Sequence, residues 1–401
     1  MPKFWKKVRK FMKKFRKNKK SDIQIIPVPP VKPRMHFKQL VDCAGYYYSG
    51  SSAVIGFLNE FDNTTVCGFA DNVYSATSVN SGTTSEIVFF RRLAEIIESF
   101  YKNNKRLAQD IAIKRFIRNI YTCYDRKGIV GWEKLPHIYT NEFLDMSLRF
   151  FLDVVDIDEH TREMMRDKRY PAKWNSKDEK FKGCCFMHGD GIDQYVCYRF
   201  RNITPDEFDA AVKKYINEFY GLFDSKDFLV SDQMLQQPKN SEMEHLDRLN
   251  KYIDGAPVKQ ICVYRDPRDN FLSAYRQDMD QMPRDVDGFV EFYKNWFSLS
   301  QHMSVPNPNR LMIRFEDLVL KYDETTKKIM DFLGLDASHH VAPKSIFNPA
   351  ISAGNIGAYK NFIDQDFMRQ IQQRLPEYCY YPERENLSQE AMDLLKGETN
   401  A

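Results

Sequence analysis

Two short stretches of this 401-residue chain have the residue types and spacing of an anion grip. The first is Ser49-Gly50-Ser51-Ser52, which stands between an apolar, aromatic run and a stretch of helical apolar spacing. A glycine at such a turn lets the backbone approach a phosphate, and the first helical N–H groups point at it with the helix dipole behind them. The three serine hydroxyls would add donors, although an ordinary helix cap has the same appearance. The second stretch is Arg265-Asp-Pro-Arg-Asp-Asn-Phe-Leu-Ser273-Ala-Tyr275, in which an arginine leaves an apolar strand and a serine follows on a helix. A guanidinium so placed grips a phosphate in a fork, with the hydroxyl on the same side. Pro267 pre-sets the turn and Asp269 can cap the helix. The competing reading is a charged surface turn closed by its own salt bridges.

The elements that would carry these residues alternate in type. Leu40–Tyr48 reads as a strand, Ala53–Phe61 as a helix (Val54, Phe57, Leu58, Phe61), and Glu86–Tyr101 as another helix. Val258–Tyr264 is a short strand followed by a helix over Asn270–Arg276. Arg310–Phe315 is one more strand, followed by Glu316-Asp317-Leu318 and a helix through Met330 to Leu333. Strand–helix alternation predicts an α/β fold, a central parallel sheet with helices on both faces. Residues 100–225 are mostly helical in pattern, rich in aromatic clusters and poor in strand signals, and read as a large helical insertion that shapes an acceptor site.

Taken together, these segments resemble the PAPS-dependent sulfotransferase family. In that family a Ser-Gly-rich strand–loop–helix holds the donor's 5′-phosphosulfate, and a strand-end Arg with a Ser eight residues on holds its 3′-phosphate. Tyr47-Tyr48-Ser49-Gly50-Ser51-Ser52 matches the first and Arg265…Ser273 the second, in the expected order. Arg314-Phe-Glu-Asp-Leu-Val319, with Ile329-Met-Asp-Phe-Leu-Gly-Leu335, is similar to the family's late strand and helix. Asn355-Ile-Gly357-Ala-Tyr-Lys360 is similar to its C-terminal loop over the nucleotide. The resemblance covers roughly residues 40–60 and 255–380. It implies a P-loop-like sheet, PAPS as co-substrate, a hydroxyl acceptor and no metal, with Ser49, Gly50, Ser51, Ser52, Arg265, Ser273, Asn355 and Gly357 at the nucleotide.

The chain departs from that pattern at Tyr48, where many members carry Lys or Arg beside the bridging oxygen. A phenol brings no positive charge, so another base must serve, with Arg91, Arg92 and Lys239 as candidates. A nucleotide kinase is disfavoured, since a Walker loop needs Gly-Lys-Ser/Thr. For the general base, Ser85-Glu86-Ile-Val-Phe-Phe90 resembles the glutamate-then-aromatics segment of the bacterial and other members that act on carbohydrate, although Glu86 also suits a helix start. His188, in Met187-His-Gly-Asp190, is the second candidate, because other branches use a histidine base. Asp232-Gln233 could line the acceptor cleft at a strand end. His339-His340 has no third ligand in view and does not read as a metal site.

Composition narrows the setting. With 43% hydrophobic and 28% charged residues the chain is globular in type. It has no apolar run of about 18 residues and no secretory h-region, which predicts a cytoplasmic protein. Its eight cysteines lack zinc-type spacing, and Cys43 and Cys262 lie in apolar strands. Eleven of the 59 basic side chains fall in residues 1–20 without one acid, so the remainder of the chain, which holds all 55 acids, is net acidic. In that tail Phe4, Trp5, Val8, Phe11, Met12 and Phe15 recur at helical spacing. A basic amphipathic tail (1–20) of this kind suits an anionic membrane surface better than nucleic acid. A Pro-rich linker follows over 21–36, then a catalytic domain over 37–385 and a C-terminal tail over 386–401. A glycan or lipid-linked saccharide is the acceptor these features favour.

Overall fold

The computed structural model describes residues 37–45, 48–66, 83–102, 106–125, 141–157, 197–223, 226–232, 250–255, 257–276, 282–297 and 307–396. The chain divides into two units, Met1–Lys32 and Pro33–Ala401, and the described residues all belong to the second. The amphipathic tail and the linker expected from the sequence both lie outside them.

In chain order the elements are β1 (Gln39–Gly45), α1 (Ser51–Leu58), β2 (Thr64–Val66), α2 (Thr83–Lys102), α3 (Arg106–Asp125), α4 (Asn141–Val154), β3 (Val155–Ile157), β4 (Tyr198–Phe200) and α5 (Pro205–Tyr220). There follow β5 (Phe228–Asp232), β6 (Lys259–Tyr264), α6 (Pro267–Arg276), α7 (Val286–Phe297), β7 (Arg310–Arg314), α8 (Phe315–Leu320), α9 (Tyr322–Leu333), α10 (Pro349–Ala353), α11 (Gln365–Arg374) and α12 (Gln389–Lys396).

The main sheet has five strands in the order β2-β5-β1-β6-β7, every pair parallel. This is the α/β architecture the alternation predicts. β1 is buried along its whole length, as a central parallel strand covered on both faces must be. Its side chains alternate between two cores. Leu40, with Leu229 of β5, faces the helices α2 to α5, whereas Val41 and Cys43, with Val230, face α1, α8, α9 and α12. A third cluster joins α6, α7 and α11 through Phe271, Phe289, Phe367 and Ile371. Across the sheet Asp42, Gln260 and Arg310 stand in register on neighbouring strands. Gln260 donates from Nε2 to Asp42 Oδ2 (3.1 Å), and its Oε1 accepts from Arg310 Nε (2.8 Å), which satisfies polar groups that burial would otherwise penalise.

Three expectations change. The helical insertion also contains a two-stranded antiparallel sheet, β3 with β4, whose three-residue strands are too short to leave a periodic signal. Its helix α5 begins at a capping box between Thr204 and Glu207. The segment read as a C-terminal tail from 386 is not one throughout. α12 packs Ala391 (2% exposed), Leu394 and Leu395 onto the second core, so the packed domain runs to Lys396. The first strand is described over Gln39–Gly45 with Tyr48 outside it, and the first helix starts at Ser51 rather than Ala53.

Candidate functional site

Because the sheet is parallel, the loops after β1 and β6 leave from one edge, and these strands are neighbours. From β1 the chain passes to β2 and β5 on one side, then to β6 and β7 on the other. The crevice between the ends of β1 and β6 is therefore a topological switch point, where diverging loops leave room for a ligand. Both anion segments stand at it.

The loop after β1 is set by close approach. A Cβ built on Gly45 would lie 2.5 Å from Ser51 Oγ and 2.7 Å from Ser49 Oγ, so both hydroxyl side chains fold back over the strand end. Tyr48 and Gly50 both take positive φ, 58° and 97°. A Cβ on Gly50 would overlap the Phe315 ring, so this position requires glycine on two counts. No side chain caps α1, and Ser49 and Ser51 are buried while Ser52 is half-buried.

Arg265 emerges from β6 into this crevice and is only 5% exposed. Its Nη1 donates to Ser273 Oγ (2.8 Å) and to the Tyr48 carbonyl (3.2 Å), and its Nη2 donates to the Asn355 carbonyl. The guanidinium carbon stands 5.0 Å from the Phe315 ring centre, so Phe315 underlies both the arginine and Gly50. One arginine thus ties together the loop after β1, α6 and the C-terminal loop. Its Nε is buried without a partner. Burial lowers its pKa, opposed by the carboxylates of Asp269, Glu316 and Asp266.

Those carboxylates form a buried frame. Asp269 does not cap α6. The Asp266 side chain does that work by accepting from the Arg268 backbone N–H at Oδ1 (2.8 Å). Asp269 instead accepts from the backbone N–H groups of Gly357 (2.7 Å) and Tyr359 (2.9 Å), so it clasps the C-terminal loop to α6. Burial pushes its carboxyl up to about 6 despite the pull of Arg265. Glu316 is fully buried and accepts from the Asp266 backbone N–H at Oε1 (2.9 Å), and burial pushes it up to about 7. Arg268 is held by Asp266 (2.6 and 3.0 Å), by Gln372 Oε1 (2.7 Å) and by the Tyr380 carbonyl (3.1 Å), with its guanidinium carbon 4.0 Å from the Tyr359 ring centre. Tyr293 donates from its hydroxyl to the Arg265 carbonyl (2.8 Å).

The segments singled out in the sequence thus meet in the structure, and their supports were not among the residues it pointed to. Ser49, Gly50, Ser51, Ser52, Arg265, Ser273, Asn355 and Gly357 come to one sheet edge. Asn355 contributes its backbone carbonyl, and the Gly357 N–H is already engaged by Asp269. Gly45, Phe315, Asp266 and Glu316 went unnoticed as supports, because only the acidic pair inside Arg-Asp-Pro-Arg-Asp and the Arg-Phe-Glu-Asp string hint at a frame. Tyr48 supplies a carbonyl to Arg265, and its phenol is pushed to a higher pKa by burial. Of the substitute bases, Arg92 is paired with Glu95 on its own helix, and the side chains of Arg91 and Lys239 lie outside the described residues. Glu86 sits in the first turn of α2, but its side chain lies outside the described residues, as do His188 and Gln233 entirely. Asp232 ends β5 opposite Cys43. His339 and His340 pair with Asp62 (2.7 Å) and Glu60 (2.8 Å). Among the described residues no cluster of three His, Cys, Asp or Glu could hold a metal, and no helix is long and apolar enough to cross a membrane.

Solved structures similar to the chain include the sulfotransferase domain of the olefin synthase from Synechococcus PCC 7002. It is 17% identical over 49% of this chain and 70% of that one, with a TM-score of 0.25. Sulfotransferase STF9 from Mycobacterium avium is 10% identical over 90% of this chain and 78% of that one, with a TM-score of 0.32. No curated protein matches the chain. The profile of the Sulfotransferase family matches residues 137–339, just over half of the chain. That span takes in Arg265, Ser273 and the Phe315–Glu316 support, while the loop after β1 that Arg265 grips lies before it. With the parallel sheet described above, that match assigns the chain to the sulfotransferase family.

Proposed function

We propose that the protein transfers a sulfuryl group from PAPS to a hydroxyl of an acceptor, with a glycan or lipid-linked saccharide as the acceptor class. The observation that carries the reading is Arg265, a buried guanidinium with an unpartnered Nε at the meeting point of two anion loops. A nucleotide bearing phosphate at two positions fits these residues. Close packing at Gly45 and Gly50 fixes the loop after β1, the positive end of α1 faces that loop, and Ser273 stands beside the guanidinium. PAPS, when bound, supplies the activated sulfuryl group. Arg265 and Ser273 hold its 3′-phosphate, and the serines of the loop after β1 and the first turn of α1 hold the phosphosulfate. Asp269 keeps the C-terminal loop against α6 beside them. Glu86 takes the proton of the acceptor hydroxyl, and His188 is the alternative base.

The setting is the cytoplasmic face of a membrane, with residues 1–20 lying on anionic lipid as a basic amphipathic segment. Two other readings compete: a phosphotransferase of the same general architecture, and a non-catalytic nucleotide-binding protein, kept open by Tyr48 in place of a basic residue.

The test is calorimetric titration of the full chain with PAP, the desulfated donor, comparing wild type with Arg265→Lys. The lysine keeps the charge and loses the fork, so affinity should fall at least about tenfold. No binding of PAP to well-folded wild type would sink the proposal. Transfer of label from ATP but not from PAPS would favour the phosphotransferase, and tight PAP binding without turnover on a panel of hydroxyl acceptors the silent binder.

A further inference from the structure

The chain crosses from β6 to α6 in two residues, Arg265 and Asp266. The peptide that joins them has both of its polar groups held by buried side chains of other elements. Tyr293 of α7 donates from its hydroxyl to the Arg265 carbonyl (2.8 Å), and Glu316 of α8 accepts at Oε1 from the Asp266 N–H (2.9 Å). A peptide is planar and rigid, so a grip on both of its polar groups fixes ψ of Arg265 and φ of Asp266 together. Those two dihedrals set the direction in which α6 departs, and with it where Ser273 Oγ stands relative to the guanidinium (2.8 Å). Both supports are themselves locked. Tyr293 belongs to the buried face of α7 with Phe289 and Val290, and its ring packs on those of Phe289 and Tyr378, with centroids 5.9 and 5.5 Å apart. A phenylalanine would serve that packing equally, and what the tyrosine adds is a bond to the Arg265 carbonyl. Glu316 is fully buried and arrives beside β6 because β7 pairs with it as far as Tyr264 and Arg314, two residues before the glutamate.

We propose that Tyr293 and Glu316 are positioning residues of the anion grip, a clamp on one peptide group that holds Arg265 and Ser273 in the pose the donor meets. The clamp acts through the backbone, so its loss leaves every charge at the cleft in place and spoils only their geometry. The inference rests on the donor reading above and adds the supports that preorganise it.

The test is titration of the full chain with PAP, well below the melting temperature of each protein, for wild type, Tyr293→Phe, Arg265→Lys and the double variant. Tyr293→Phe keeps the ring and removes the bond, so PAP affinity should fall about tenfold. Because the clamp acts through Arg265, the double variant should bind no more weakly than Arg265→Lys alone, which a general loss of stability would not produce. Glu316→Gln keeps an oxygen for the Asp266 N–H and should retain wild-type affinity, whereas Glu316→Met should lose as much as Tyr293→Phe. Wild-type affinity in Tyr293→Phe would overturn the inference and leave the donor reading standing. Losses that multiply in the double variant would overturn it as well, since Tyr293 would then act independently of Arg265. A loss in Glu316→Gln equal to that in Glu316→Met would do the same for Glu316, since its charge and not its bond to the peptide would matter. No PAP binding by well-folded wild type would instead overturn the donor reading itself, and the inference with it.

Discussion

Arg265 is held in place by neighbours that are themselves expensive to bury. Desolvation of a charged side chain in a protein interior costs several kcal/mol unless hydrogen bonds and countercharges offset it. Here Asp266, Asp269 and Glu316 supply the countercharge, and two of the three are pushed up in turn by the same burial, to about 6 and about 7. Both groups hold a proton in the folded chain at pH values where an unfolded carboxyl has released it. Their contribution is therefore fully present in acid, below the ordinary carboxylate range, and is lost as pH rises through 6 and then 7. Glu316→Gln removes one of these titrations while keeping an oxygen for the Asp266 N–H. We expect urea melts between about pH 5 and pH 8 to show a shallower fall of stability with pH in the variant than in wild type. Parallel slopes would mean that Glu316 stays ionised throughout. At Gly50 no such tuning operates, since its φ of 97° and the Phe315 ring together admit no side chain.

Between elements, the decisive contact is the clasp from α6 to the C-terminal loop. Each oxygen of Asp269 takes one backbone N–H, from Gly357 and from Tyr359, and Gly357 turns at a φ of 72° to present them together. An asparagine can accept only one of the two bonds and sets an amide against the other N–H. Leaving that buried donor unpaired costs about 1–3 kcal/mol. Asp269→Asn should therefore raise hydrogen exchange across Asn355–Asn361 and weaken PAP binding, while α9 and its core exchange as before. Unchanged exchange in that segment would show that the Arg265 bond to the Asn355 carbonyl secures the loop by itself. The sequence reading made Asp269 a helix cap because an Asp at a helix start has that role more often than any other. Asp266, three residues earlier, fills it instead, and only the packing of a segment some 90 positions away reveals what Asp269 holds.

At the scale of the molecule, the sheet order decides which loops meet, and the C-terminus completes the second core. α12 covers that core beside α8 and α10, with Ala391 buried and Leu394 and Leu395 packed against it. Removing Gln389–Lys396 exposes this apolar surface, and the loss of several packed side chains costs about 2–5 kcal/mol. We expect a clearly lowered melting temperature for a chain ended at Ser388. A chain that melts as wild type would return the segment to the status of a tail.

The sequence by itself determined the α/β class and singled out the two segments that meet at the ends of β1 and β6, with the glycine and the arginine at their centres. Strand–helix alternation, Gly at a tight turn and Arg at a strand end are local patterns with local physical causes. It placed three-residue strands and element ends poorly, because such pieces carry too few residues for a period and their edges depend on packing. Only the tertiary structure decided that β1 and β6 are neighbours, that Phe315 lies under both Gly50 and Arg265, and that Asp269 reaches the C-terminal loop. These are contacts between residues far apart in the chain, and burial, which joins them and shifts the carboxylates, is a property of the packed fold that no short stretch of sequence contains.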